Sequence, residues 1–156
     1  MAIIAAGLLM CRKENNELQF FLVHPGGPFY VKKNEGVWSI PKGLPENHEE
    51  ILQTAQREFF EETGIKATAP FYPLGCVKQK SGKIVHAWTF KGEWDSAQGV
   101  TSNIFKIEWP PRSKRFIDIP EVDRGAWMNY DEAVKMIHPH QLPFLTKAKE
   151  IYESES

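Results

Sequence analysis

Gly43-Leu44-Pro45-Glu46-Asn47-His48-Glu49-Glu50-Ile51-Leu52-Gln53-Thr54-Ala55-Gln56-Arg57-Glu58-Phe59-Phe60-Glu61-Glu62-Thr63-Gly64-Ile65 is the stretch that decides how this chain is read. From about His48 to Thr63 its apolar residues Ile51, Leu52, Ala55 and Phe59 recur at three- and four-residue steps. That recurrence is the stripe by which a helix faces a core. Asn47 is the expected N-cap with Glu50 as its returning partner, and Gly64 suits a left-handed helix end. Glu58, Glu61 and Glu62 fall at i, i+3 and i+4, so three carboxylates share one neighbouring face. Like charges so placed repel, and one partner's pKa tends to rise. A divalent cation reverses the sign of that cost, because Mg²⁺ and Mn²⁺ take hard oxygen ligands. Most acidic runs are only solvated helix faces. Gly43, Glu49, Arg57 and Gly64, standing at fixed distances from these glutamates, set this run apart.

The spacing runs Gly43, five residues, Glu49, seven residues, then Arg57 to Ile65, with apolar residues at Phe59 and Ile65. It resembles the Nudix box, the motif of hydrolases that cut nucleoside diphosphates linked to some other group. Trp38-Ser39-Ile40-Pro41-Lys42-Gly43 resembles the segment leading into the box in Nudix hydrolases of the diadenosine polyphosphate type. Glu121, six residues before Trp127, is similar to the carboxylate that many members supply from outside the box, and Asp131-Glu132-Ala133 to the start of a following helix.

The resemblance implies an α/β fold: a Nudix-type α/β/α sandwich with a mixed β-sheet and a loop-helix-loop catalytic element. It implies Mg²⁺ or Mn²⁺ as cofactor, held principally by Glu58 and Glu62, with Glu61, Glu121 and the peptide carbonyl of Lys42 as further ligands. Arg57 would orient the glutamates, and Glu49 would be architectural. On one straight helix Glu49 and Arg57 would stand about 12 Å apart, so a direct pair requires Glu49 to leave the helix. The implied reaction is attack of water on one phosphorus of a pyrophosphate linkage, with Glu58 or Glu121 as general base.

Composition agrees with an enzyme of one domain spanning 1–156. The chain is 42% hydrophobic and 25% charged, ordinary values for a globular protein. A net charge of −1 argues against broad nucleic-acid binding, although it leaves room for a local basic pocket and does not exclude capped RNA. Cys11 and Cys76 lack metal-ligand spacing and read as free thiols in a reducing compartment. The apolar run Ala2 to Met10 lacks a basic leader and is too short to span a bilayer. It reads as a buried first strand, and the expected location is cytoplasmic, without a membrane partner. The oligomeric state stays open.

Strands are expected at Ile3–Arg12, Leu18–His24, Val37–Ile40, Tyr72–Lys80, Lys83–Trp94, Ile104–Trp109 and Arg124–Tyr130, with a hairpin turn at Ser81-Gly82. Pro110 to Pro120 reads as a basic loop that presents Glu121. Asp131 is the expected cap of a helix through Ile137, and a last helix covers Pro143–Tyr152. For a nucleotide substrate, the stacking candidates are Phe29, Tyr30, Trp88, Trp109 and Phe116. Lys78, Lys80, Arg112, Lys114 and Arg115 are the candidates to reach a polyphosphate. Diadenosine polyphosphates lead the substrate readings. A nucleoside triphosphate or nucleotide sugar follows, and a non-catalytic nucleotide-binding module is the reading from another class.

Overall fold

A computed structural model describes residues 3–154. Met1, Ala2, Glu155 and Ser156 lie outside the described residues, so the start of the apolar run and the end of the polar tail are not part of this description. The chain order is β1 (Ile4–Glu14), β2 (Glu17–Pro25), β3 (Lys42–Gly43), α1 (Ile51–Thr63), β4 (Tyr72–Lys78), β5 (Ile84–Lys91), β6 (Ile104–Glu108), β7 (Phe116–Pro120), β8 (Val122–Met128), α2 (Tyr130–Met136) and α3 (Leu142–Glu153). A six-stranded sheet runs β4-β5-β1-β2-β8, with β3 added to β1. β1 pairs with β5 in parallel and with β2 and β3 antiparallel, so the sheet is mixed.

The long runs of β1 and β2 are buried on both faces, as befits central strands covered by helices on either side. Ala6, Leu8, Met10, Phe21 and Phe90 pack with Ala55 and Phe59 of α1. Ala5, Leu9, Phe20, Leu22 and Val85 pack on the opposite side with Ala133 of α2 and Phe144, Leu145, Ala148 and Tyr152 of α3. The result is an α/β/α sandwich, as the resemblance implies. β1 approaches the segment before α1 so closely that a Cβ at Gly7 would strike the Pro41 carbonyl and the Lys42 side chain.

Several boundaries differ from the sequence reading. α1 begins at Ile51, and its N-cap is Glu50 in a reciprocal box with Gln53, not Asn47. His48 sits at φ +65°, which interrupts any helix continuing back to 48. Val37–Ile40 forms only the isolated bridges Trp38–Ile137 and Ser39–Val23, while the ladder itself falls at Lys42–Gly43. The hairpin after β4 closes through Gln79 and Lys83, so Lys80 belongs to the turn. β5 ends at Lys91 rather than Trp94. Asn129, not Asp131, caps α2, its side chain accepting from the Glu132 amide. The largest correction concerns Pro110–Pro120. Its second half is a strand, β7, and β6 and β7 form a separate two-stranded ribbon.

Candidate active site

The site is assembled where α1 meets β3 and the start of β8. Glu49 lies just outside the helix, and its carboxylate accepts from Arg57 Nε at 2.9 Å and Nη2 at 3.0 Å. The departure from the helix that a direct Glu49–Arg57 pair requires is thus present. Thr54 Oγ1 and the Glu46 amide also donate to Glu49, at 2.7 and 3.0 Å. Chiefly through the Arg57 hydrogen bonds, and then through Thr54, the Glu49 carboxyl is held down to about 2. Arg57 continues from this clamp to Glu58 at 2.9 Å, Glu61 at 3.1 Å and the Leu44 carbonyl at 2.9 Å. One guanidinium therefore ties the loop before the helix to two glutamates on it. Thr54 and the Leu44 carbonyl carry no sequence signal, because their roles arise only when the loop folds back.

Gly43 fits against Glu58 without a side chain of its own: a Cβ at this position would overlap the Glu58 carboxyl group. Glu62 is buried, one turn further along. Burial, followed by the charges of Glu121 and Glu58, pushes the Glu62 carboxyl up to about 9. Burial also raises Glu58, against the opposing pull of Arg57. Lys42 feels the reverse: burial and the nearby Lys83 lower its pKa, while Glu62, Glu121 and Glu58 oppose that fall. The Lys42 carbonyl is the group expected at the site from the sequence. The electrostatics show in addition its ammonium in the field of all three carboxylates.

Glu121 reaches the same place from the other side. Its N–H donates to the Asn103 carbonyl at 3.0 Å, and its carbonyl accepts from the Gly26 amide at 3.0 Å. Asn103 in turn donates to the Glu61 carbonyl at 2.9 Å, and Thr101 to the Thr63 carbonyl at 3.0 Å. The open carbonyls at the end of α1 are thereby satisfied by the very segment that anchors Glu121. Glu58, Glu62 and Glu121 each bring an oxygen within 4.8 Å of the others. Glu62 Oε2 and Glu121 Oε2 are buried and have no hydrogen-bond partner. Buried carboxylate oxygens are costly without partners, and a hard divalent cation supplies one to both. The donor set therefore fits such an ion. Glu61, half-buried and bonded to Arg57, stands beside this trio rather than within it.

The other candidates separate. Tyr30 lines a recess of about 200 Å³ together with Ser39, Lys42, Gln79, His138 and Gln141. Gln141, which the sequence reading missed, is buried and accepts from the Ile40 amide at 2.9 Å. Burial, then His140 and Lys42, lowers the His138 pKa. Lys78 and Lys80 are exposed on either side of Gln79. Trp88 is half-buried against the α1 side of the core and is not among the residues lining the recess. Arg112 sits at the far end of the β6–β7 ribbon, its amide bonded to Glu108 at 2.9 Å. The five residues of β7 separate that end from Glu121, about 17 Å of extended chain, so Arg112 is not brought to the carboxylates.

Sandwich and site together define a class: α/β/α proteins whose helix-borne carboxylates can take a divalent cation. The NUDIX domain profile matches residues 1–148, and the chain belongs to the NUDIX family. It is 32% identical over 108 residues to the mRNA-decapping protein g5R of African swine fever virus, covering 67% of this chain and 42% of that protein. The match thus spans less than half the length of that viral relative. A C. elegans Ap4A hydrolase in a binary complex superposes with a TM-score of 0.69 at 20% identity, over 96% of this chain and 98% of that one. The NUDIX domain of Shewanella oneidensis NrtR, complexed with ADP ribose, gives 0.66 at 17% identity, over 97% and 89%. Both likenesses concern the fold.

Proposed function

We propose that this protein hydrolyses a pyrophosphate linkage in a substrate built on a nucleoside diphosphate, using Mg²⁺ or Mn²⁺. The observation that carries the reading is the pair of buried, unpartnered oxygens on Glu62 and Glu121, facing Glu58. Glu58, Glu62 and Glu121 would hold the ion, with Glu61 and the Lys42 carbonyl beside them. Such an ion, when bound, neutralises phosphate oxygens and lowers the pKa of the attacking water. Arg57 fixes the glutamates, and the Lys42 ammonium offsets negative charge gathering on the phosphates. Glu58 and Glu121 are the two general-base candidates, and the base must act through an oxygen that the ion leaves free. One oxygen of Glu58 is already engaged by Arg57. The recess that Tyr30 lines with Lys42 and Gln79 supports Tyr30 as a contact to the nucleoside, and exposed Lys78 and Lys80, on either side of Gln79, as contacts to the phosphates.

Dinucleoside polyphosphates are the leading substrates, supported by the Trp38–Gly43 segment and the fold shared with an Ap4A hydrolase. The decapping relative favours a second reading, capped RNA. The two share their chemistry, because a cap is a dinucleoside polyphosphate one of whose nucleosides continues as RNA. The family match over residues 1–148 supports reading the chain as one domain. Free Cys11 and Cys76 support a cytoplasmic location. Among the described residues no helix is long and apolar enough to cross a membrane.

The test is a panel of diadenosine tetraphosphate, a nucleoside triphosphate, a nucleotide sugar and a capped oligoribonucleotide, with and without Mg²⁺, followed by product identification. Metal-dependent cleavage at an anhydride is expected. Binding without turnover of any member would sink the reading in favour of a nucleotide-binding module.

A further inference from the structure

The β6–β7 ribbon has no part in the site as described, yet it stands on the site's rim. Among the described residues its strands pair only with each other, and its base is the Asn103–Glu121 hydrogen bond. The register Phe105↔Ile119 and Ile107↔Ile117 puts Phe105, Ile107 and Trp109 on one face with Ile117 and Ile119. Phe116 and Ile104 share the other face with the Lys106–Asp118 ion pair. Phe105 is 44% exposed and Phe116 64%. An isolated two-stranded ribbon is marginal in water, and large exposed rings do not stabilise it through burial.

The tip is built with equal care. Arg112 and Lys114 both adopt positive φ, 64° and 62°, a region that side-chain-bearing residues avoid. Glu108 holds them there, its carboxylate accepting the Arg112 and Lys114 amides at 2.9 and 3.2 Å. Engaged with the backbone, Glu108 leaves the Arg112, Lys114 and Arg115 side chains without an ion pair among the described residues. One face of the ribbon thus carries Phe105 near its base and half-buried Trp109 near its tip, with unpaired cations at its end.

Rings that stack on bases, combined with cations that meet phosphates, bind single-stranded nucleic acid without a sequence requirement. An acidic peptide would use the cations but has no planar bases for Phe105 and Trp109, which share one face. Five strand residues span about 17 Å, or roughly five stacked nucleotides at about 3.4 Å each. We propose that the β6–β7 ribbon binds single-stranded RNA whose 5′ end carries the anhydride presented to the acidic site. The proposal rests on the pyrophosphohydrolase reading and extends it from a compact nucleotide to a chain.

The test uses the whole protein and a ten-nucleotide single-stranded RNA with a 5′-triphosphate and a 3′-fluorescein. Binding is followed by fluorescence anisotropy in EDTA, which removes turnover from the measurement, at several salt concentrations. R112A/R115A and F105A are compared with wild type after thermal melts establish that each is folded. If F105A does not fold, the tip variant decides. Wild type should bind, and each folded variant should bind roughly tenfold more weakly. For R112A/R115A the salt dependence should also flatten by about 1.4 in the log–log slope. Equal affinities, or no wild-type binding, overturn the proposal. So does a dimer in light scattering that F105A abolishes while RNA affinity stays unchanged, since the ribbon is then a self-association face. Failure of the underlying reading looks different: wild type in Mg²⁺ would cleave neither diadenosine tetraphosphate nor the other panel members nor the 5′-triphosphate RNA.

Discussion

Gly43 and Glu58 occupy complementary space: the hydrogen that serves as side chain at 43 leaves the volume that the Glu58 carboxyl fills. The glycine at the head of the motif is thus required by the glutamate far along it. Replacing it with alanine forces Glu58 out of line with Glu62 and Glu121. Gly43→Ala should lower kcat roughly 10²-fold, the usual cost of misplacing a reacting group by an ångström. Its effect on the melting temperature should be far smaller. Near-native turnover, measured at saturating substrate and Mg²⁺, would contradict the placement of Glu58.

Glu58→Gln and Glu62→Gln should each remove most turnover while the fold persists. In EDTA at neutral pH the Glu62 variant should melt no lower than wild type, because the raised pKa keeps metal-free Glu62 protonated and the amide is a neutral group of the same shape. Steady-state rates paired with melting curves make the comparison. Wild-type rates in both variants would end the metal-ligand assignment.

The raised Glu62 pKa has a definite pH sign. Its folded value of about 9 lies above that of an ordinary carboxyl, so the metal-free folded state binds the proton more tightly than the unfolded chain. This contribution to stability is whole below about pH 4.5 and is lost as pH rises toward 9. Melting in EDTA should accordingly weaken across that window. Saturating Mg²⁺ or Mn²⁺ should raise the midpoint most at the alkaline end, by mass action. A midpoint indifferent to metal at pH 8 would refute the site.

Glu49 carries the opposite sign. Its folded pKa, held to about 2 by Arg57 and Thr54, lies below the ordinary value, so its contribution is present above about 4.5 and lost as pH falls toward 2. Arg57→Lys keeps the charge but cannot reproduce the fork to Glu49. It should cost about 2 kcal/mol in urea unfolding at pH 7. The difference from wild type should shrink at pH 3, and a deficit that stays constant with pH would argue against this clamp.

Glu121→Gln should reduce kcat by about 10²-fold or more, with little change in melting temperature. Its backbone bonds to Asn103 and Gly26 do not involve the carboxylate and should survive the substitution. Activity within threefold of wild type would remove Glu121 from the site.

The helix, its stripe and its glutamates were legible because each is a local pattern. Ile51, Ala55 and Phe59 announce their face through spacing alone. The departure of Glu49 from the helix could be posed from the same spacing as a condition for pairing with Arg57. What escaped depends on distant segments. The true N-cap follows from the withdrawal of Glu49 into the Arg57 clamp, and β3 takes its place from a close approach to Gly7. β7 was concealed because prolines and a basic run flank its five residues, and its alternation is too short to stand out. Arg112 was expected beside the carboxylates because the ribbon was taken for a loop free to fold back, whereas the strand pairing holds it at the far tip.

The backbone relay from Glu61 and Thr63 through Thr101 and Asn103 to Glu121, and on to Gly26, joins parts of the chain that are synthesised far apart. Glu62 and Glu121 can face each other only after β2, α1 and β8 have all found their places. The carboxylate trio therefore acts as a coincidence detector for the finished fold. A chain whose β8 has not docked carries every glutamate of the motif but lacks the Glu121 oxygen beside them, so the trio is assembled only when the architecture is complete.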